Sequence, residues 1–371
     1  MKRITIYKAL LAAALTLPFA FSSAAQARPV VEVAFVLDTT GSMSGLIEGA
    51  KRKIWSIATA IVDDWPDADI RIGLVAYRDI GDDYVTRKID LTTDIQDVYA
   101  RLLELQARGG GDWPESVNEA LDVAVNKLHW SEGRDAHRIV FLVGDAPPHM
   151  DYAQDTKYPA TLTVARQKDI IVNAVQAGNA RDTERVWHDI AQQGDGRYIP
   201  IPQDGGPIVV IETPYDQDII ILQEQINKTV IPYGPPPMQR RTEEKARQLS
   251  SVAAAAPASA SDMASYINKR AARSAEAVTG GDLVSDVGSG RKKLDEVKDE
   301  ELPASLQALP PEQRAAKLET ELQARKALNE KLAALVKQRD AYLASHRDKA
   351  PKDKSSFDRE VEAALKVQLK R

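Results

Sequence analysis

Val31-Glu-Val-Ala-Phe-Val-Leu37 runs directly into Asp38-Thr-Thr-Gly-Ser42-Met-Ser44. The first half is a nearly continuous apolar run, the pattern of a strand buried on both faces of a parallel sheet. It ends in a carboxylate, with hydroxyls two and four residues on. A helical pattern then begins, with Leu46, Ala50, Ile54, Ile57, Ala58 and Ile61 three or four residues apart. A strand that ends in an acid and turns at once into a helix predicts an open α/β sheet, whose ligands sit outside the carboxyl ends of the strands.

The same alternation continues outward. Further apolar runs are Ile70–Tyr77, His137–Val143, Ile170–Ala177 and the shorter Gly196–Ile201. Helical patterns lie at Pro114–Leu128, Thr183–Gln193 and Gln217–Val230. The expected fold is α/β: an open, doubly wound, mostly parallel sheet with helices on both faces. Tyr233-Gly-Pro-Pro-Pro237 ends this pattern, and all five Trp precede it. The remainder is poor in aromatics and predicts a mainly α-helical C-terminal region. Its longest pattern, Pro311–Ala344, places Leu328, Leu335 and Tyr342 seven residues apart, while Arg325 and Arg339 interrupt the other seam position. A coiled coil and a helix docked on the front domain or on a partner are both open.

The N-terminus has a different character. Lys2, Arg3 and Lys8 precede an apolar run from Ala9 to Phe21, and Ala25-Gln26-Ala27 fits a signal-peptidase site. The run is too short to span a bilayer. The expected organisation is a signal peptide at 1–27, an α/β domain at 28–233, a linker with short helices at 234–310 and a helical region at 311–371. The mature chain is then expected outside the cytoplasm, in the periplasm, with no transmembrane segment.

The 371 residues are 43% hydrophobic and 28% charged, with 49 Lys and Arg against 54 Asp and Glu. The acidic excess falls in the front half, which argues against nucleic acid as a ligand. With no cysteine, disulfides, thiolate zinc sites and thiol nucleophiles are excluded. Enzyme motifs are missing as well. Gly41-Ser-Met-Ser-Gly45 has Met at the centre where a nucleophile elbow needs Ser, and Gly109-Gly-Gly111 has no following Lys to make a phosphate loop. Asp38, Thr40 and Ser42 offer hard oxygen ligands, suited to magnesium, manganese or calcium.

Asp38-x-Thr-x-Ser42 after a first buried strand resembles the von Willebrand factor A domain family and its metal-ion-dependent adhesion site. Two further segments stand in that family's order: Gly109-Gly-Gly-Asp112-Trp-Pro-Glu115 before a helix, and Val140-Phe-Leu-Val-Gly-Asp145 at a strand end. The resemblance covers about residues 30–233. It implies a cation, Mg2+ or else Mn2+ or Ca2+, held by Asp38, Thr40, Ser42, Asp112 and Asp145. It also implies a binding module, not an enzyme, whose protein partner completes the coordination with an acidic side chain. The family's usual Thr is replaced by Asp112, or is absent; Asp112 can contact the metal, cap the helix after it, or both. Asp79, Asp82, Asp83, Glu115 and His149 are candidates for the partner surface, with a solvated loop and a surface His as the plainer readings. The three aspartates are also candidates for a second cation site. Segments such as Lys337-Gln-Arg-Asp-Ala-Tyr342 and Ser356-Phe-Asp-Arg-Glu360 resemble a C-terminal extension of secreted bacterial proteins with this domain. Two other functions stay open: a metal-free scaffold acting through the C-terminal helices, and a metal-dependent hydrolase. Partner identity and oligomeric state are not encoded in any motif.

Overall fold

Period-two alternation in β1 (Val30–Asp38) sends Val31, Val33, Phe35 and Leu37 to one face of the sheet and Ala34 and Val36 to the other. All six are buried, because helices cover both faces. A computed structural model describes residues 29–133, 135–206, 211–255, 257–274, 280–346 and 357–370. The signal peptide expected at 1–27 lies outside them.

Five more strands follow: β2 (Asp69–Tyr77), β3 (Thr86–Thr92), β4 (Ala136–Gly144), β5 (Ile170–Ala177) and β6 (Asp195–Ile201). The sheet order is β3-β2-β1-β4-β5-β6, and every pairing is parallel except β2 with β3. β1 and β4 are neighbours, so the topological switch point lies between their carboxyl ends, where Asp38 and Asp145 emerge. The fold is the doubly wound α/β sheet expected. The antiparallel edge strand β3 and the helix after it, α2 (Ile95–Glu104), are additions to it.

One face is covered by α1 (Ser44–Asp64) and α2 through Leu46, Ile54, Trp55, Ile57, Val98 and Leu102. The other is covered by α3 (Val117–Asp122), α4 (Tyr158–Gln167) and α5 (Arg181–Gln193) through Leu121, Leu162, Trp187 and Ile190. The pattern at Pro114–Leu128 becomes a helix only at Val117 and continues as a π-helical segment, Val123–Lys127. Pro114 and Glu115 stay in the preceding loop, Glu115 forming an isolated bridge with Pro148. α6 (Asp216–Lys228) matches its predicted position.

The C-terminal region adds α7 (Pro236–Ala255), α8 (Pro257–Ser274), α9 (Leu283–Gly288), α10 (Ala304–Gln307), α11 (Pro311–His346) and α12 (Phe357–Gln368). The segment expected as a linker thus holds two long helices. Leu249, Met263, Tyr266 and Ile267, with Phe357, Val361 and Leu365, belong to the same buried cluster as the sheet and α1. The division at Tyr233 follows composition, not packing. α11 lays Leu332 and Val336 against Ile219 and Ile226 of α6 and Ala264 of α8. Arg325 and Arg339, which break the heptad seam, are the residues that fasten it. Arg325 pairs with Asp282 and donates to Thr229 Oγ1 at 2.7 Å. Arg339 reaches Asp216 at 2.8 Å and Asp262 at 2.7 Å. α11 is a docked helix in this structure, held by its own chain.

Candidate functional site

Asp38 closes β1 with its side chain fully buried. One oxygen accepts two hydrogen bonds from Thr40, from the amide at 2.8 Å and the hydroxyl at 2.7 Å. The other, Oδ2, is buried with no hydrogen-bond partner. The Thr40 and Ser42 hydroxyls stand 3.3 Å apart, with Thr40 buried and Ser42 exposed. This hairpin of side chains follows from a backbone that leaves the sheet at Asp38 and enters α1 through a single 3-10 turn. Asp145 follows β4 and is buried; Gln203 Nε2 donates to its Oδ2 at 2.6 Å and approaches the Ser42 carbonyl at 3.5 Å. Gly144 is required beside it, since a Cβ there would lie 2.3 Å from the Tyr77 hydroxyl and 3.4 Å from Asp38 Cβ.

The glycine loop closes over this edge. Gly41 donates to the Gly109 carbonyl at 3.2 Å, and Arg108 to the Thr39 carbonyl at 3.1 Å. Gly109 and Gly110 take φ of +79° and +84°, a region only glycine enters readily. The chain then pairs with the loop after β4: Glu115 donates to the Pro147 carbonyl at 2.9 Å, and His149 donates to that of Glu115 at 3.1 Å. These bonds turn Glu115 inward. Its carboxylate borders Gly110 and Thr40, so a Cβ on Gly110 would lie 3.2 Å from Glu115 Oε1 and 3.3 Å from Thr40 Cβ. Glu115 Oε2 is also buried without a partner.

The five predicted metal ligands are therefore not all together. Asp38, Thr40 and Ser42 form one cluster, and Asp145 flanks it from the adjacent strand. Asp112 is an exposed side chain whose carboxylate faces His149 at 3.5 Å. It caps no helix, because the next one starts at Val117 with Ser116 before it. Among the candidates for the partner surface, Asp79 is buried and accepts from Ser116 Oγ and Tyr152 Oη, each at 2.8 Å. Asp82 accepts from the Gly110 amide at 3.1 Å and Asp83 pairs with Arg78 at 3.2 Å. His149 is a buried side chain, not a surface one.

Charge is unbalanced here. Burial pushes Asp38 up to about 7, with Asp145 adding to the rise and the Thr40 hydrogen bonds and Arg78 opposing it. Burial also pushes Glu115 up to about 9, helped by Asp38, Asp79, Asp82 and Asp145. Arg78 is the buried cation of this edge, and it is already engaged. It donates to the Thr39 carbonyl at 3.2 Å and the Gln106 carbonyl at 2.8 Å, and stacks over Tyr84 at 4.5 Å. Sequence reading assigned Arg78, Gln203 and Tyr152 no part in this edge. They lie on loops with no motif, and only the fold gathers them.

The family model described as von Willebrand factor A domain matches residues 32–211. An ariadne-like RING finger protein of Acanthamoeba polyphaga mimivirus is 32% identical over 124 residues, 32% of this chain and 11% of that protein. The alpha-protein kinase vwkA of Dictyostelium discoideum is 28% identical over 129 residues, 34% of this chain and 20% of that one. The von Willebrand factor A domain-containing protein 7 of Mus musculus is 28% identical over 223 residues, 58% and 23% of the two chains. This chain thus spans from 11% to 23% of the length of these relatives. Among solved structures, the SpRpn10 VWA domain is similar with a TM-score of 0.36 at 14% identity, over 48% of this chain and 89% of that one. Proximal thread matrix protein 1 of the mussel byssus gives 0.34 at 14% identity, over 48% and 43%. Over residues 32–211, this chain is a von Willebrand factor A domain.

Proposed function

We propose that this domain binds a protein partner through a divalent cation at the carboxyl edge of β1 and β4, and that it catalyses no reaction. The domain family commonly mediates protein–protein contacts. The observation that carries the cation is the Asp38 carboxylate: fully buried, with Oδ2 lacking any partner. An isolated buried carboxylate costs several kcal/mol unless a proton or a cation compensates it. The donors fit a hard cation, since Asp38, Thr40, Ser42 and Asp145 offer only oxygen, with the orphaned Glu115 oxygen beside them. Mg2+ is the first choice, with Mn2+ and Ca2+ compatible.

The chain's own residues divide the work. Asp38 and Asp145 supply negative charge from two adjacent strands, and the Thr40 and Ser42 hydroxyls supply neutral oxygen. Gln203 holds Asp145 by its amide. Bound there, the cation would offer an open coordination position to a carboxylate of the partner. Ser42, Asp112 and Trp113 are exposed around the edge and would form its rim. Among the described residues no helix is long and apolar enough to cross a membrane. We place the mature protein outside the cytoplasm, on the strength of residues 1–27.

The test is capture of a partner from periplasmic extract by the full chain, in magnesium and in EDTA, with wild type and Asp38→Ala. Partner retained in magnesium, and lost in EDTA and in the folded variant, is expected. A partner captured equally in all conditions would refute the reading. Calorimetric titration of Mg2+, Mn2+ and Ca2+ then selects the ion.

A further inference from the structure

We infer that Asp79, Asp112 and His149 form a second metal site, distinct from the oxygen-only cluster at Asp38 and suited to a borderline cation such as Zn2+. The three come from three segments: the loop after β2, the glycine loop and the loop after β4. Each offers one ligand atom, and all three atoms lie within 4.8 Å of one another. His149 Nε2 is 3.6 Å from Asp79 Oδ2 and 3.5 Å from Asp112 Oδ2. Ligands about 2.1 Å from a tetrahedral zinc ion stand about 3.4 Å apart. The spacing already present is therefore that of two edges of a zinc tetrahedron.

The independent observation is His149 itself. Its side chain is only 7% exposed, and its Nε2 is buried with no hydrogen-bond partner although it faces two carboxylates. The other ring nitrogen, Nδ1, is 2.9 Å from Asp151 Oδ1. A neutral imidazole that donates from Nδ1 to a carboxylate turns an Nε2 lone pair outward. This carboxylate–histidine arrangement orients metal-bound histidines. A lone pair aimed at two carboxylate oxygens is repulsive unless Nε2 carries a proton or a cation lies between them. The surroundings hold the group in place. Tyr152 stacks on the ring at 4.0 Å between centroids and 9° between planes, and donates to Asp79 Oδ2. Ser116 donates to the other Asp79 oxygen.

Three protein ligands leave a fourth position open on the exposed side of Asp112. An imidazole ligand favours zinc, cobalt or nickel over magnesium, so the two sites select different ions. The His149 amide bonds the Glu115 carbonyl, so an ion here would also pin the glycine loop that shapes the first site.

The test uses the full chain, stripped with EDTA, titrated with Zn2+ by calorimetry and with Co2+ by visible absorption. Wild type, Asp38→Ala, His149→Gln, Asp112→Asn and Asp151→Asn are compared, each checked for fold by circular dichroism. Wild type and Asp38→Ala should bind one Zn2+ and give the intense cobalt bands of a tetrahedral site. His149→Gln and the exposed Asp112→Asn should weaken Zn2+ at least about tenfold. Asp151→Asn should weaken it about 10–100-fold, as loss of a ligand-orienting partner does. Three results overturn the site. A folded wild type that binds no Zn2+ makes His149 an imidazolium in an ion pair only. Equal Zn2+ affinity in wild type and His149→Gln removes the ligand. Zn2+ lost in Asp38→Ala but kept in His149→Gln puts the ion at the first site and leaves the proposed function standing.

Discussion

Asn173 in β5 and Gln368 in α12 exchange two amide hydrogen bonds, at 3.0 and 2.7 Å, both buried. The last helix of the chain is thereby tied to an inner strand of the sheet. Phe357 at its start meets Phe35 of β1 edge-on, with ring centroids 6.3 Å apart. Val361 and Leu365 complete the contact with α1 and the sheet. The C-terminal helix is a core element of the domain. Phe357→Ala should cost about 3–5 kcal/mol, the usual loss for a buried Phe. Deleting 357–371 should cost more and expose the α1 face. Urea unfolding with far-ultraviolet circular dichroism measures both. A deletion variant as stable as the full chain would make α12 an accessory.

Legibility in the sequence tracked how a residue is buried. β1, β2, β4 and β5 read clearly because strands buried on both faces are continuous in Val, Ile and Leu. β3 did not, since Thr86-Arg-Lys-Ile-Asp-Leu-Thr92 is a half-exposed edge strand rich in charge. The Ala/Ser-rich stretch read as a linker because small residues carry little hydrophobic signal. Yet Ser261, Ala264 and Ser265 are fully or almost fully buried, on a helix packed against α1 and α6. At the site, Asp38, Thr40 and Ser42 were readable because one turn fixes them together. The outward place of Asp112 and the inward turn of Glu115 were not. Both depend on two left-handed glycines and a loop-to-loop bridge, which spacing cannot encode.

The buried carboxylates make the metal-free protein sensitive to alkali. Asp38 rises from 3.8 to about 7 and Glu115 from 4.5 to about 9 on folding. Between the unfolded and folded values the native state holds protons that the unfolded chain has released. Stability must then fall as pH rises, from about pH 4 through 9. In EDTA, the melting temperature should drop across this window. Divalent cation should restore it most at the alkaline end. Asp38→Asn should flatten the fall, gain on the order of a few kcal/mol over metal-free wild type at pH 8, and abolish the cation's effect. A metal-free melting temperature that rises with pH would contradict this account.

Gly109 controls the loop that carries Asp112 and Glu115. At φ +79° an alanine is strained, and its Cβ would lie 2.1 Å from an Asp82 carboxylate oxygen. Asp82 also accepts from the Gly110 amide, so its displacement frees the loop. Gly109→Ala should cost about 1–3 kcal/mol of stability. It should weaken cation binding about tenfold or more at both proposed sites while the sheet stays intact. Cation titration beside a thermal melt separates the effects. Unchanged affinity would show that the glycine serves the backbone alone.

Arg339 tests how α11 is held. It is buried between Asp216 of α6 and Asp262 of α8, at 2.8 and 2.7 Å. Removing the guanidinium takes away the cation that both carboxylates share, typically a loss of about 3–5 kcal/mol for a buried group of this kind. Arg339→Met should therefore be strongly destabilising. Replacing Asp216 and Asp262 by Leu in that background should recover much of the loss, because the desolvation cost disappears with the charges. Chemical denaturation of the single and triple variants, monitored by tryptophan fluorescence and circular dichroism, gives the coupling. All five tryptophans lie in the α/β domain, so fluorescence reports that part and circular dichroism the whole chain. Coincident transitions are expected, since α8 packs on both α1 and α11. A separate early transition seen by circular dichroism alone would mean that the C-terminal helices unfold as an independent unit.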